Sequence, residues 1–255
     1  MRIIQISDLH FGMHNPQIIE SFLKDIELLK PDLILISGDI TQRAREQQYI
    51  LIQNFLKRFS QPYLIVPGNH DIPLNPIHRL YQPFKRYKRY ISSDLESHFS
   101  NAEVNILGVN SVNRFKIKDG RLSKSTLNRI RNHFSADSEQ LNILFFHHNL
   151  NYFSGMHHPL NNADEFINYL KESPIHIVCT GHLHYANIKI IDKNQYEQFA
   201  LLHAGTLFCK RSRDNMNSFY VIDTNKLKCI INRRVFAEGC FNSQQSIEFD
   251  PCKSS

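Results

Sequence analysis

Short apolar runs alternate along this chain with stretches in which apolar residues recur at helical spacing, the pattern of a sheet covered by helices. Residues 3–7, 33–37 and 63–66 read as strands. Between the first two, Ile19, Phe22, Leu23, Ile26 and Leu29 would lay one apolar stripe on the sheet, and Tyr49, Ile52, Leu56 and Phe59 repeat it before the third. The chain therefore opens as βαβαβ. Further strands are expected at 104–110, 142–146 and 175–179, with helices at 125–134 and 163–171. Beyond Ile188 the apolar runs at 199–203, 219–222 and 228–231 lack helical spacers, which predicts antiparallel strands. Residues 71–101, with prolines at 73, 76 and 83, read as an irregular, cap-like excursion. The tail after Phe249 reads as frayed, and no internal repeat is evident.

Composition changes this picture little. The 255 residues suffice for a substantial core, expected as one domain over 1–255, and 42% hydrophobic with 21% charged residues excludes a disordered chain. The longest uninterrupted aliphatic or aromatic runs fall far short of the ~20 residues of a membrane helix. An acidic residue at position 8 arrives before any signal-peptide apolar region could form. Five cysteines, without Cys-x-x-Cys spacing, disfavour a disulfide framework and a zinc-thiolate site, so a cytoplasmic location is expected. Cys179 reads as core. A net charge of +6 suits an anionic partner, whether phosphate ester, nucleic acid or anionic lipid. The basic aromatic run 81–90 could serve the last two. It reads equally as a solvated helix with its aromatic rings packed inward.

The chemistry lies at the strand ends. Apolar runs give way to Asp8-Leu9-His10, to Asp39, to Asn69-His70-Asp71, to His147-His148 and to His182-Leu183-His184. In a parallel α/β sheet the carboxyl ends of strands share one rim, so five segments would deliver polar groups to one place. Carboxylate, imidazole and carboxamide without thiolate suit Mn²⁺, with Fe or Zn²⁺ as other candidates, better than Ca²⁺. Seven such groups exceed what one ion takes. Two ions about 3.5–4 Å apart would use them and form a clamp for phosphoryl displacement. Against the carboxylates of Asp8 and Asp39, two divalent ions leave a net positive site.

These blocks resemble the calcineurin-like metallophosphoesterases, whose order is Asp-x-His, Gly-Asp, Gly-Asn-His, a lone His and Gly-His-x-His. Here all five stand in order over residues 8–184. The resemblance implies a two-sheet sandwich flanked by helices, an α-β-β-α four-layer fold. It implies that Asp8, His10 and His184 hold one metal and Asn69, His147 and His182 the other, with Asp39 bridging and a bridging hydroxide attacking in line. His70 would then contact the phosphoryl group and act as general acid. Glycines before Asp39, Asn69 and His182 are expected to permit sharp turns.

His147 is preferred over His148 because it follows its strand directly; His148 becomes a candidate substrate neighbour. Arg43 and Arg211 are further candidates for substrate contact, although each also reads as an exposed basic residue, as does Arg213. His157-His158 reads as a chance pair on a surface loop. The part of the family resembled is that of bacterial cyclic-nucleotide phosphodiesterases and lipid A pathway diphosphatases, which implies a small-molecule phosphodiester or pyrophosphate substrate. The protein Ser/Thr phosphatase branch carries an Asp where this chain has Gln42, so the partner that would orient the catalytic histidine there is missing. A DNA nuclease of the same superfamily and a non-catalytic scaffold are the alternatives.

Overall fold

A computed structural model describes residues 1–136 and 138–252. Strands β1 (Arg2–Ile6), β2 (Leu33–Ser37) and β3 (Tyr63–Val66) run parallel and are joined by helices α1 (Pro16–Leu29) and α2 (Glu46–Leu56). The first helix starts where expected of its sequence. Asn15 accepts a hydrogen bond from the Gln17 amide, and Pro16 occupies a position whose N–H would have no helical partner. The same sheet is completed by an antiparallel set, β10 (Ser218–Asn225), β11 (Lys228–Ala237) and β12 (Cys240–Phe249), in the order β12-β11-β10-β1-β2-β3.

A second sheet of six strands has the order β4-β5-β6-β7-β9-β8, formed by β4 (Ser97–Ser100), β5 (Val104–Gly108), β6 (Leu141–Phe145), β7 (Ile177–Thr180), β8 (Asn187–Asp192) and β9 (Gln198–His203). Successive side chains on a strand point to opposite faces, and the sequence uses both. Ile3, Leu33 and Leu35 meet Ile106, Ile143, Cys179 and Leu202 in a core between the sheets. Ile4, Ile34 and Ile36 pack outward against Phe22, Ile26 and Phe55 of α1 and α2. On the far side, Leu144 and Val178 pack against Leu127 and Ile130 of α5 (Lys124–His133) and Phe166 of α6 (Ala163–Glu172). The layers are helix, sheet, sheet, helix, as the family resemblance implies. Covered on both faces, β1, β2, β6 and β7 are apolar almost throughout.

Three details differ from the sequence expectation. Strand β9 pairs parallel with β7, because the chain first runs along the outer edge as β8 and returns antiparallel to it, inside. Residues 71–101 hold two short helices, α3 (Pro76–Tyr81) and α4 (Lys85–Tyr90), and the edge strand β4, paired with β5. Asp250–Cys252 do not splay: Lys228 pairs with Asp250 at 2.8 Å and Cys252 bridges to Glu197, while 253–255 lie outside the described residues. No helix among the described residues is long and apolar enough to cross a membrane.

Candidate metal centre

The two sheets meet at the carboxyl ends of β1, β2, β6 and β7. Gln5 Nε2 donates to the Thr180 carbonyl at 3.0 Å, and the Gly181 amide donates to the His147 carbonyl at 2.8 Å. The rim thus belongs to both sheets rather than to one. Asp8, His10, Asp39, Asn69, His147 and His182 are all buried here, and His184 is half-buried.

Their ligand atoms fall into two sets. In the first, His10 Nε2 lies 2.8 Å from His184 Nε2, 3.6 Å from Asp8 Oδ1 and 3.7 Å from Asp39 Oδ2, and His184 Nε2 lies 3.3 Å from Asp8 Oδ1. In the second, His147 Nε2 lies 3.3 Å from Asp39 Oδ2, 3.2 Å from Asn69 Oδ1 and 3.2 Å from His182 Nδ1. Ligands at ~2.1 Å from a divalent ion stand ~3.0 Å apart at right angles and ~3.4 Å apart at tetrahedral angles. Both sets match that spacing, and Asp39 Oδ2 belongs to each.

Neighbouring hydrogen bonds fix which nitrogen is free. The Nδ1–H of His147 donates to the Ser37 carbonyl at 2.8 Å, and that of His184 to the Arg211 carbonyl at 2.5 Å, which leaves each Nε2 lone pair for a cation. Asp8 Oδ1 is buried without a hydrogen-bond partner, an arrangement that is costly for a carboxylate unless a cation satisfies it. Burial works against charge on Asp8, yet the surrounding imidazoles hold its carboxyl well below the usual range. Burial likewise opposes charging of His147, but Asp39 pushes it up to about 9. The cluster therefore attracts positive charge, and the donor set fits two divalent ions.

Five of the candidate ligands have left-handed backbones: Asp8 (φ 53°), His10 (46°), Asp39 (50°), His182 (82°) and His184 (55°). This corrects the expected role of the glycines. Gly38 does adopt φ +85°, but Gly68 and Gly181 carry no such conformation and serve close approach instead. A Cβ on Gly68 would lie 2.1 Å from Asp39 Oδ1, and one on Gly181 1.9 Å from Ser7 Oγ. Asp71 fastens the loops together, its carboxylate accepting from the amides of Gly68 (2.9 Å), Thr41 (2.8 Å) and Ile40 (3.2 Å).

His70 lies edge-on to His10, ring centroids 4.9 Å apart. Its Nδ1 is 2.7 Å from the Gln42 carbonyl oxygen, so the backbone at position 42 orients the ring that an acidic side chain orients in the Ser/Thr phosphatase branch. Next to these groups is a cavity of about 210 Å³, lined also by Lys118, His157, Arg211 and Arg213. The larger groove, about 810 Å³ between β4 and α5, contains none of the candidate ligands.

Of the residues expected at the substrate side, Arg211 lines the cavity, whereas Arg43 is exposed and is not among its lining residues. His148 is buried, held by Ser111 at 2.8 Å, with its ring against His182. His157 departs from its reading as a chance surface residue: its ring centroid lies 5.1 Å from that of His182. Sequence reasoning also missed Lys118 and Cys209, whose sulfur clusters with the imidazoles of His10 and His184. No local signal marks any of the three, since each arrives on a loop remote from the motifs.

The calcineurin-like phosphoesterase family model matches residues 1–186, which include every one of these ligands. This chain belongs to that family. Among its relatives is a probable glycerophosphodiester phosphodiesterase of Arcobacter nitrofigilis, 28% identical over 55% of this chain; the match spans 49% of that protein. Another is the 3',5'-cyclic adenosine monophosphate phosphodiesterase of Haemophilus influenzae, 23% identical over 72% of this chain and 70% of that protein. A dimetal phosphatase from Danio rerio shares the fold, with TM-score 0.71 at 9% identity over 98% of this chain and 99% of that one. The histidine and aspartate clusters of this phosphoesterase are consistent with the two-metal centre of its family.

Proposed function

We propose that this phosphoesterase hydrolyses a small anionic phosphodiester or pyrophosphate. The observation that carries the reading is the pair of ligand sets sharing Asp39 Oδ2, at spacings that suit divalent ions. Asp8, His10 and His184 would hold one ion and Asn69, His147 and His182 the other, with Asp39 common to both. When bound, the two ions supply Lewis-acid charge for phosphoryl oxygens and make water a nucleophile at neutral pH. Mn²⁺ is the preferred metal, with Fe and Zn²⁺ as the other candidates.

The chain's own residues account for binding and proton transfer. Lys118, Arg211 and Arg213 place positive charge around the cavity, which favours an anionic substrate. With its Nδ1–H donated to the Gln42 carbonyl, His70 in its imidazolium form presents Nε2–H, the proton given to the departing oxygen. A volume of about 210 Å³ is below the ~300–1,000 Å³ of pockets for drug-sized ligands, which favours a compact phosphoester over a polymer. Two relatives named for phosphodiester hydrolysis support the same class.

The test is a Mn²⁺-supplemented hydrolysis screen of chelator-treated protein, covering p-nitrophenyl esters, cyclic nucleotides, nucleotide-sugar diphosphates and DNA, with metal content measured alongside. Turnover of a small diester or pyrophosphate with about two ions per chain is expected. Hydrolysis of DNA alone would make the protein a nuclease, and full metal loading without any hydrolysis would make it a scaffold.

A further inference from the structure

Beside the metal centre lies a surface that the hydrolytic reading does not use. Helix α3 and the loop 113–118 are bound together by Arg79, itself buried, whose guanidinium donates to the carbonyls of Pro73 (3.3 Å), Arg114 (3.1 Å) and Lys116. Arg114 returns a hydrogen bond to the Leu80 carbonyl. This construction holds large apolar side chains in solvent: Ile77 is 67% exposed, Tyr81 76%, Phe115 69% and Ile117 60%, with Leu74 and Leu80 also exposed. A soluble surface seldom clusters such residues without a partner.

The charge around them is predominantly positive, with Asp94 and Asp119 following the ends of the two basic segments. Residues 72–93 and 110–118 contain eight lysines and arginines and no carboxylate, more than the whole chain's net +6. Seven of the eight are exposed; Arg79 is the exception. Glu46, from α2, is 4.0 Å from Arg89 at the margin. In the segment Arg114-Phe115-Lys116-Ile117-Lys118, cations and apolar groups alternate, and all five are exposed. Lys118 also lines the cavity of the metal centre, so the surface runs up to the site's mouth.

We propose that α3 and the 113–118 loop dock this protein on an anionic lipid bilayer, with the cavity opening beside the headgroups. Phenylalanine, leucine and isoleucine tips suit the boundary between headgroups and acyl chains, and the exposed cations of the same segments suit an anionic leaflet. A second copy of the chain would bring like charge against like charge. Single-stranded nucleic acid would use aromatic platforms, whereas four of the six apolar groups here are aliphatic and offer no face for base stacking. The surface stands independently of the hydrolytic reading, since it is defined by residues outside the ligand sets.

The experiment is vesicle flotation, comparing phosphatidylcholine with phosphatidylcholine–phosphatidylglycerol mixtures at low and high salt. Binding to the anionic vesicles only, weakening with salt, is expected. Arg114→Gln, Lys116→Gln and Lys88→Gln together should lower partitioning on the order of 100-fold, about fivefold for each cation removed. Ile77→Ser, Phe115→Ser and Ile117→Ser together should abolish it while leaving metal content and p-nitrophenyl ester hydrolysis unchanged. The chain contains no tryptophan, so Phe115→Trp supplies a single reporter whose emission should shift to the blue and be quenched by brominated acyl chains. Equal binding to both vesicle types, retained binding in the apolar triple variant, or a reporter that responds to oligonucleotides and not to vesicles would overturn the proposal.

Discussion

Chelating the metals should steepen the fall of folding stability with rising pH, beyond the loss that the thiols of Cys179 and Cys229, pushed up by burial, give to chelated and metal-loaded protein alike. Burial opposes protonation of His147 and His184, but Asp39 and Asp8 beside them prevail, raising His147 to about 9 and His184 to about 11. In the unfolded chain both titrate near ~6.5. Folded values above unfolded ones mean that the stabilisation is complete below the unfolded value and is lost as pH rises toward the folded values. Between about pH 7.5 and 8.5 these two histidines therefore hold nearly two more protons in the metal-free folded state than in the unfolded chain, a loss of about 2 kcal/mol across that unit. The imidazoles of His10, His148, His182 and His203, pushed down by burial, act in the opposite direction. Their effect is largely complete by about pH 7.5. The raised tyrosines Tyr49, Tyr87 and Tyr220 enter only near ~pH 10. Urea unfolding of chelated and Mn²⁺-loaded protein at the two pH values gives the comparison directly. The difference between their slopes should be about 2 kcal/mol per pH unit, and parallel slopes would show that no protons occupy the metal-free centre, contrary to the charge argument.

Asp39→Asn should abolish metal-dependent hydrolysis and lower metal content, because a neutral amide cannot serve two cations; near-normal activity by the same assay would remove Asp39 from the site. His147→Ala should lose the ion of its set while His148→Ala keeps most of its metal, since the first imidazole has its Nε2 beside Asn69 and Asp39 whereas the second is held by Ser111; elemental analysis in which the order is reversed refutes the assignment. Gly68→Ala puts a methyl group 2.3 Å from the Asp39 backbone nitrogen, so a stability loss of about 1–3 kcal/mol and weakened metal retention are expected in denaturant and binding titrations. His70→Ala should keep its metals yet slow turnover on the order of 10²–10⁴-fold, and less for p-nitrophenyl esters than for alkyl diesters; equal slowing of both would mean that His70 acts on the phosphoryl oxygens rather than on the leaving group.

The meeting of the candidate ligands at one rim was legible because each follows an apolar strand, and strand ends are where an α/β sheet presents chemistry. The bounds of β2 and β3 could also be read, since Leu33–Ser37 and Tyr63–Val66 are short apolar runs between turn residues. Strand β12 was not legible: residues 242–246 are exposed on both faces of the strand, so Asn, Ser and Gln fill them and no period stands out. The direction of β9 depends on which edge β8 takes, a tertiary choice without a local mark. His70 illustrates a further limit. Its orienting partner is the carbonyl of Gln42, and a backbone atom carries no signature of residue type.

The left-handed ligands explain why the site is read so easily yet lies in a locally unfavourable chain. Neither aspartate nor histidine gains sterically from φ near +50°, and each such residue costs about 1–3 kcal/mol unless its surroundings over-determine it. They do so here. The Asp8 amide donates to the Gly38 carbonyl at 3.1 Å, the His10 amide to the Asp39 carbonyl at 3.0 Å, and the His182 amide to Asp8 Oδ2 at 2.9 Å. Each bond holds one ligand segment against another, so the strain is shared among the segments that must meet. Turning the backbone at Asp8 and again at His10 gathers the donor atoms of one short segment on one side, and the same holds for His182 and His184. The backbone hydrogen bonds of the ligand segments thus support the geometry in which the donor atoms meet. The donor atoms of the first set stand within 2.8–3.7 Å of one another, and a binding site whose donors are held by such supporting bonds loses less in ordering them. The same close approach accounts for the tight glycines, since a Cβ at Gly68 or Gly181 would collide with the neighbouring loop.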